Sequence, residues 1–362
     1  MEISPYKPGK SALTGITDVI KLSSNEGALG PSPMAVEAFR GQGDELHRYP
    51  DGEATSLREA IGRRYNLDPS RIICGAGSDE LFYNLARAYA GPGDEILYSQ
   101  HGFNIYPIVA HSVGATPVTA PEKNLIFDVD AILDSVNSRT RIVFIANPNN
   151  PTGSYISGDE LRRLRQGLSE GILLVVDGAY AEYVNRSDYE DGVTLVDGSE
   201  NTVMTRTFSK IYGLGALRVG WGYCPTKIID VLNRLRAPFN ITAPSQAAAI
   251  AAINDTEHVL LSQEHNRHWL SWLSDQVQVH SNSGLNVYPS VGNFILVQFP
   301  DFPGRRASDA NSFLARRGII PRETTGYGLP DCLRITIGKE EEVKYLATAI
   351  SDFVFSWGKS VK

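Results

Sequence analysis

The chain has 362 residues, of which 42% are hydrophobic and 21% charged, and its formal net charge is −7. This composition predicts a globular protein long enough for two domains, and the acidic balance argues against the basic surface that nucleic-acid-binding proteins use. No apolar run reaches the ~18 residues of a membrane-spanning helix, the first residues lack a signal-peptide pattern, and the three cysteines form no CxxC pair. We therefore expect a cytoplasmic protein with no membrane or nucleic-acid partner.

The predicted elements alternate between short apolar strands and amphipathic helices. Residues 1–30 contain several Pro, Gly and Ser and predict an extended N-terminal arm. Six apolar runs follow, at residues 71–74, 95–98, 141–148, 171–177, 202–205 and 219–223. Runs this short and this apolar, between helical patterns, predict an α/β fold with a mostly parallel sheet that is covered on both faces.

The last hundred residues have a different pattern. An Ala-rich helix is predicted after Pro244, followed by a longer helical stretch and by strands at 293–299 and 333–338. This pattern predicts a smaller α+β domain. We place the arm at residues 1–30, the large domain at 31–245 and the small domain at 246–362.

Polar motifs follow three of the predicted strands: NPNNPTG (147–153), DGAY (177–180) and RTFSKIYGLGALRVG (206–220). In open α/β sheets, ligands bind beyond the carboxyl ends of the strands, so we expect these side chains to converge. Together they supply a lysine amine, a carboxylate, phenol and amide donors, and an arginine. A pyridoxal-phosphate enzyme needs these groups for its covalent linkage, its pyridine nitrogen, its phenolic oxygen and its phosphate.

These motifs resemble those of the fold-type-I aminotransferases of class I and II. The resemblance implies the fold type I of pyridoxal-phosphate-dependent transferases, with pyridoxal 5'-phosphate as the cofactor. It implies that Lys210 binds the cofactor as a Schiff base and that Asp177 pairs with the pyridinium nitrogen. It further implies that Tyr180 and Asn150 bind the phenolic oxygen.

The same resemblance implies a phosphate site and a residue against the cofactor ring. Ser209 and Arg218 would bind the phosphate, and Phe103 would stack on the ring. The loop GAGSDE (75–80) is predicted to open a helix, whose first turn offers free backbone N–H groups to an anion. Ser78 and Asp79 would donate these N–H groups.

Three further segments, at residues 21–33, 48–61 and 318–338, resemble the histidinol-phosphate aminotransferase family. This resemblance implies a transaminase that interconverts histidinol phosphate and 2-oxoglutarate with imidazole-acetol phosphate and glutamate, in histidine biosynthesis. Arg322 and Arg334 would hold the anionic group of either substrate, because a guanidinium binds phosphate and carboxylate alike. Tyr49 would reach the cofactor phosphate of the neighbouring subunit, which implies a homodimer.

Several alternatives remain open at this point. Gly178 stands where the family usually has Glu, and SNEGALG replaces its usual SNENPLG, which weakens the substrate assignment more than the chemistry. An aromatic or broad-specificity aminotransferase shares most of the motifs. A phospho-amino-acid decarboxylase of the same superfamily could use the same lysine and arginines, and a non-catalytic relic is a third alternative.

Each candidate residue also has a structural interpretation. Asp177 could cap a helix, and Asn150 could stabilise a turn. Tyr180 and Phe103 could be residues of the hydrophobic core. The pair of histidines in HNRH (265–268) lacks a third metal ligand, and we expect no catalytic metal.

Overall fold

The computed structural model describes residue 3 and residues 5–357, which form thirteen β-strands and twelve α-helices. The strands are β1 (Ile20–Lys21), β2 (Ile72–Gly75), β3 (Glu95–Ser99), β4 (Thr116–Ala120), β5 (Thr140–Ala146), β6 (Leu173–Asp177), β7 (Thr202–Thr207), β8 (Gly220–Tyr223), β9 (Asn286–Tyr288), β10 (Phe294–Gln298), β11 (Ile319–Ile320), β12 (Arg322–Glu323) and β13 (Cys332–Thr336). The helices are α1 (Pro33–Arg40), α2 (Thr55–Tyr65), α3 (Ser78–Tyr89), α4 (Ile105–Ser112), α5 (Val129–Ser135), α6 (Gly158–Gly167), α7 (Val193–Asp197), α8 (Thr226–Leu235), α9 (Ala243–Asn254), α10 (Thr256–Gln278), α11 (Ala307–Arg316) and α12 (Glu340–Ser356). Among these described helices, none combines the length and apolarity needed to cross a membrane.

A seven-stranded sheet, in the order β2-β8-β7-β6-β5-β3-β4, forms the centre of the larger domain. Only β8 runs antiparallel to its neighbours in this sheet, so the predicted mostly parallel sheet is confirmed. The six predicted apolar runs correspond to β2, β3, β5, β6, β7 and β8. The edge strand β4 was not predicted, because Pro117 and two threonines leave it half-exposed and without an apolar run.

Both faces of this sheet are covered by helices. Successive residues of a strand point to opposite faces, so each central strand contributes side chains to both layers. Ile142 and Phe144 of β5 pack with α3, α4 and α8 on one face. Val143 and Ile145 of the same strand pack with α5 and α6 on the other face. This double burial explains why the central strands read as continuous apolar runs.

The smaller domain contains a four-stranded antiparallel sheet in the order β12-β13-β10-β9. Helices α10, α11 and α12 pack on it around one apolar cluster. The predicted α+β character of this part of the chain is therefore observed.

The predicted N-terminal arm contains a short strand that joins it to the smaller domain. Its strand β1 pairs in parallel with β11, and Leu22 is buried in the apolar cluster of the smaller domain. The arm thus contributes to the smaller domain before the chain enters the larger one.

The predicted division at residues 245/246 falls inside α9. This helix packs on α1 and α2, and Ala249 and Ile253 belong to the same apolar cluster as Trp221 of β8. Along α10, Val259 belongs to that cluster, whereas Leu273 belongs to the cluster of the smaller domain. We propose that the boundary lies within α10.

Two phenylalanines on α12 test whether the buried apolar cluster stabilises the smaller domain. Phe353 is buried against Phe299, Phe313 and Trp357, whereas Phe355 is 68% exposed. We expect Phe353→Ala to lower the free energy of unfolding by about 3–5 kcal/mol, because it removes a large buried ring and leaves a cavity. The matched variant Phe355→Ala should change it by less than about 1 kcal/mol. Urea unfolding followed by circular dichroism measures both, and equal losses would contradict the packing described.

Candidate active site

A cavity of about 340 Å³ opens between the carboxyl ends of the parallel strands and the smaller domain. Every predicted site residue except Tyr49 lines it. These residues are Ser78, Asp79, Phe103, Asn150, Asp177, Tyr180, Ser209, Lys210, Arg218, Arg322 and Arg334. The expected convergence of the motifs after β5, β6 and β7 is therefore observed.

Asp177 is the last residue of β6 and is only 4% exposed. The hydroxyl of Tyr106 donates to its Oδ2 at 2.9 Å, and the Ala179 N–H donates to its Oδ1 at 3.2 Å. Burial raises the pKa of Asp177 to about 7, and the charge of Asp79 acts in the same direction, whereas the bond from Tyr106 opposes them. A cationic group placed against this carboxylate would stabilise its charged form.

Lys210 follows β7 and points into the cavity. Its Nζ donates to the carbonyl oxygen of Ser24 at 3.1 Å and lies 5.7 Å from the centroid of the Tyr180 ring. Burial lowers the pKa of Lys210 to about 8, and the positive charge of Arg334 acts in the same direction. A lysine with this pKa presents a substantial fraction of neutral amine near pH 8, and the neutral amine is the form that acts as a nucleophile or base.

The start of α3 lies beside the guanidinium of Arg218. Gly77 has a φ of 78°, and a Cβ atom there would lie 2.4 Å from Nη2 of Arg218, so only glycine allows this approach. Similarly, a Cβ atom at Gly220 would lie 2.2 Å from the backbone nitrogen of Ser78. Arg218 Nη1 donates to Ser209 Oγ at 3.2 Å. The free N–H groups of the first helical turn, a hydroxyl and a guanidinium therefore meet at one place, which suits a phosphate.

Besides the backbone N–H that is predicted to bind an anion, Asp79 has a carboxylate that lies close to Arg218. Its Oδ2 lies 3.4 Å from Arg218 Nη2, and burial raises the pKa of its carboxyl. Asp79 and Arg218 are therefore ion-pair partners beside the start of α3.

Tyr180 is buried and joined to the N-terminal segment. Asn25 Nδ2 donates to the Tyr180 hydroxyl at 2.8 Å. The backbone N–H of Asn25 donates to Thr336 Oγ1 at 2.9 Å, so β13 of the smaller domain fixes the asparagine. Burial raises the pKa of Tyr180, which keeps its phenol protonated and able to donate.

Arg334 is a buried arginine with only neutral hydrogen-bond partners. Nη2 donates to the carbonyl oxygen of Ser23 at 2.7 Å, and Nη1 donates to Oδ1 of Asn150. Its Nε is buried and has no partner among the described residues. Because neither partner is an acid, the positive charge of Arg334 is available to an anion in the cavity.

Arg322 lies directly opposite Arg334 in the pairing of β12 with β13. Its Nη2 donates to the carbonyl oxygen of Lys7 at 2.6 Å. Like charges opposite each other on neighbouring strands destabilise a sheet, so the pair is better explained by an anionic ligand than by stability.

Phe103 is half-buried at the wall of the cavity. The ring of Tyr6 meets it edge-on at 6.3 Å between centroids, and the ring of Tyr106 does so at 5.8 Å. An aromatic face at this position suits the stacking role that the sequence predicts.

Two polar side chains of the site were missed in the sequence, Asn25 and Tyr106. Asn25 belongs to the SNEGALG segment and has a φ of 53°, and Tyr106 follows Phe103 by three residues at the start of α4. Their partners are 155 and 71 residues away along the chain, so no local spacing pointed to either bond.

Tyr49 is 83% exposed and does not line the cavity of its own chain. Its ring stacks on Phe239, with 4.6 Å between the centroids.

Comparison with known proteins identifies the family of the chain. The family described as aminotransferase class I and II matches residues 17–350. A histidinol-phosphate aminotransferase of Paramagnetospirillum magneticum is 57% identical over 98% of this chain and 97% of its own length. The same enzyme of Rhodospirillum centenum is 54% identical over 98% of this chain and 97% of its own length.

Solved structures agree with this result. The histidinol-phosphate aminotransferase of Sinorhizobium meliloti, solved in complex with pyridoxal-5'-phosphate, superposes with a TM-score of 0.85. The two chains are 28% identical, and the match covers 93% of the present chain and 91% of the Sinorhizobium meliloti chain. The chain belongs to the class I and II aminotransferase family, within the group formed by the histidinol-phosphate aminotransferases.

Proposed function

We propose that this chain is a pyridoxal-phosphate-dependent transaminase that interconverts histidinol phosphate and 2-oxoglutarate with imidazole-acetol phosphate and glutamate, in histidine biosynthesis in the cytoplasm. The observation that carries the proposal is a single cavity lined by the Lys210 amine, the buried Asp177 carboxylate and arginines at two separate places, which suit two anions. The first anion site is at Arg218 of the larger domain, and the second is at Arg322 and Arg334 of the smaller domain. The names of the most similar relatives support the same substrate pair.

The residues of the cavity fit the cofactor. Pyridoxal 5'-phosphate, when bound, supplies an electron-withdrawing pyridinium ring that stabilises negative charge at the substrate α-carbon. Asp177 would hold the proton on the ring nitrogen, and Tyr180 and Asn150 would bind the phenolic oxygen. Gly77 and Gly220 allow the Arg218 guanidinium and the Ser78 backbone nitrogen to lie close to them, so these donors for the phosphate stand near one another.

Lys210 has the properties of the covalent and proton-transferring group. Its Nζ would attach to the cofactor, and once released it would take the proton from the substrate α-carbon. Its pKa of about 8 suits both tasks, because an efficient general base has a pKa near the pH at which it works.

Arg322 and Arg334 would bind the phosphate of histidinol phosphate in one half-reaction and a carboxylate of glutamate in the other. A guanidinium presents a fork of donors that fits either anion. The same pair therefore serves two substrates of different shape.

We further propose a homodimer in which Tyr49 reaches the partner's cofactor phosphate. Tyr49 stacks on Phe239, and both rings are exposed, as are Met34, Phe39 and Leu46 of the preceding segment of the chain. Patches of this kind on a globular domain are typical of protein–protein interfaces.

The role of Lys210 is tested by Lys210→Ala. We expect the purified variant to lack the visible absorbance of lysine-bound cofactor and to lose at least about 10³-fold in kcat, because it lacks the covalent link and the base. Borohydride should fix the cofactor on Lys210 of the unmodified protein, as peptide mass spectrometry can show. Lys227→Ala, at an exposed lysine, is the control. Unchanged activity in a colourless Lys210→Ala variant would refute the assignment.

Substrate choice is tested by kcat/KM for histidinol phosphate, phenylalanine and tyrosine, with 2-oxoglutarate consumption as the coupled readout. We expect Arg322→Ala to lower kcat/KM for histidinol phosphate by about 10–100-fold, because a charge-assisted bond to the phosphate is lost. The loss for the two aromatic amino acids should be smaller. Arg234→Ala, at an exposed arginine of α8, should change neither value. Equal losses for all substrates would contradict the phosphate role, and a preference of the unmodified protein for tyrosine would favour the aromatic aminotransferase.

The shared site is tested by mixing two impaired variants, Lys210→Ala and Tyr49→Ala, at limiting cofactor. If Tyr49 acts across the dimer, a mixed dimer contains one site with an intact Lys210 and an intact Tyr49 from the partner. We therefore expect activity to rise above that of either variant alone after exchange of subunits. No rise despite mixed dimers detected by native mass spectrometry would place Tyr49 in its own subunit's site or outside any site.

A further inference from the structure

A buried tyrosine contacts the carboxylate at the base of the cavity. Tyr106 lies on α4, and Asp177 ends β6, 71 residues further along the chain. The Tyr106 hydroxyl donates to Asp177 Oδ2 at 2.9 Å, and the two residues are 1% and 4% exposed. A hydrogen bond between two side chains this deeply buried is shielded from competing water.

The ring of Tyr106 is held in one orientation by its aromatic neighbours. It stacks on Phe144 with 4.7 Å between centroids and an interplanar angle of 8°. Phe82, Tyr98 and Phe103 each meet it at a steep angle, with 5.8 Å between centroids. A close-packed ring cannot change rotamer freely, so its hydroxyl is directed at Asp177.

The direction of this hydrogen bond is fixed. Burial and the nearby charge of Asp177 hold the pKa of Tyr106 well above its ordinary value, so the phenol stays protonated and donates. The groups that face Asp177 are Tyr106 from α4, Asp79 from α3, Lys210 after β7, the N–H of Ala179, and the phenols of Tyr180 and Tyr189. Burial and Asp79 raise the pKa of Asp177, whereas Tyr106, the Ala179 N–H and Lys210 lower it.

The bond also leaves the carboxylate free for a third donor. Tyr106 occupies one position on Oδ2, and the Ala179 N–H occupies one on Oδ1. An ionised carboxylate has about four acceptor positions, so further donors can still bind. The two bonds therefore orient the group without blocking it.

We propose that Tyr106 is a positioning residue that orients Asp177 and favours its ionised form, so that the carboxylate can hold a protonated ring nitrogen. The proposal rests on the proposed function, in which Asp177 pairs with the pyridinium of the cofactor. Tyr106 itself touches neither cofactor nor substrate, since it does not line the cavity. It acts only through the carboxylate.

The test is Tyr106→Phe, which removes the hydroxyl and keeps the ring. Tyr98→Phe is the matched control. Tyr98 is a buried tyrosine that contacts the Tyr106 ring, and its hydroxyl has no hydrogen-bond partner among the described residues. Each apoprotein is titrated with pyridoxal 5'-phosphate between pH 5.5 and pH 9, and the visible absorbance of each holoenzyme is followed over the same range. Thermal unfolding of each apoprotein reports on folding separately.

We expect Tyr106→Phe to weaken cofactor binding about tenfold near pH 6.5, because the lost donor raises the pKa of Asp177 and a larger fraction is protonated there. The acid limb of binding should move to higher pH by about one unit, and the difference should shrink towards pH 9. Tyr98→Phe should follow the unmodified protein at every pH. A pH-independent loss, or the same profile in the two variants, would overturn the proposal.

An Asp177→Asn background separates this proposal from the proposed function. If Tyr106 acts through the charge of Asp177, Tyr106→Phe should change cofactor binding less than about twofold once the carboxylate is gone. A persistent tenfold effect would show that the hydroxyl acts by another route. If Asp177→Asn alone leaves binding and absorbance unchanged, the assignment of Asp177 itself fails, whatever the Tyr106 result.

Discussion

Asp177 lies at the carboxyl end of β6, between the parallel strands β5 and β7, where it pairs with Ala146 and Thr205. That order brings the segments after β5 and β7 to either side of the carboxylate, so Asn150 and Lys210 reach one cavity. A buried acid is costly in its charged form unless donors surround it, and the surrounding structure supplies a phenol, a backbone N–H and an amine. The need to stabilise the charged form of Asp177 explains why these groups lie around it.

The two proposed anion sites lie in different domains and are built differently. The site at Arg218 combines the start of a helix with two close glycine contacts, so backbone N–H groups are available beside the guanidinium. At the other site, the guanidinium groups of Arg322 and Arg334 donate to neutral oxygens, and none of these partners is an acid. The first suits a permanently bound group, and the second suits substrates that exchange.

Much of the fold and the site could be predicted from the sequence, because the apolar strands are short and the polar residues follow them directly. What could not be predicted depends on packing. The bonds of Asn25 and Tyr106 join distant segments, β4 is a half-exposed edge strand, and the arm carries a strand of two residues. The predicted domain division falls inside α9, whose buried side consists largely of alanines and forms no clear apolar stripe in the sequence.

The N-terminal segment belongs to both domains at once. Its strand β1 is bonded to β11 and Leu22 is buried in the smaller domain, while Ser24 and Asn25 bond Lys210 and Tyr180 of the larger one. Residues 20–25 therefore link the two domains. Burial and the positive charge of Arg334 both lower the pKa of Lys210, so a rotation of the smaller domain away from the sheet would relieve both effects and raise the affinity of the amine for a proton. In this architecture, the opening of the cleft changes the basicity of the lysine.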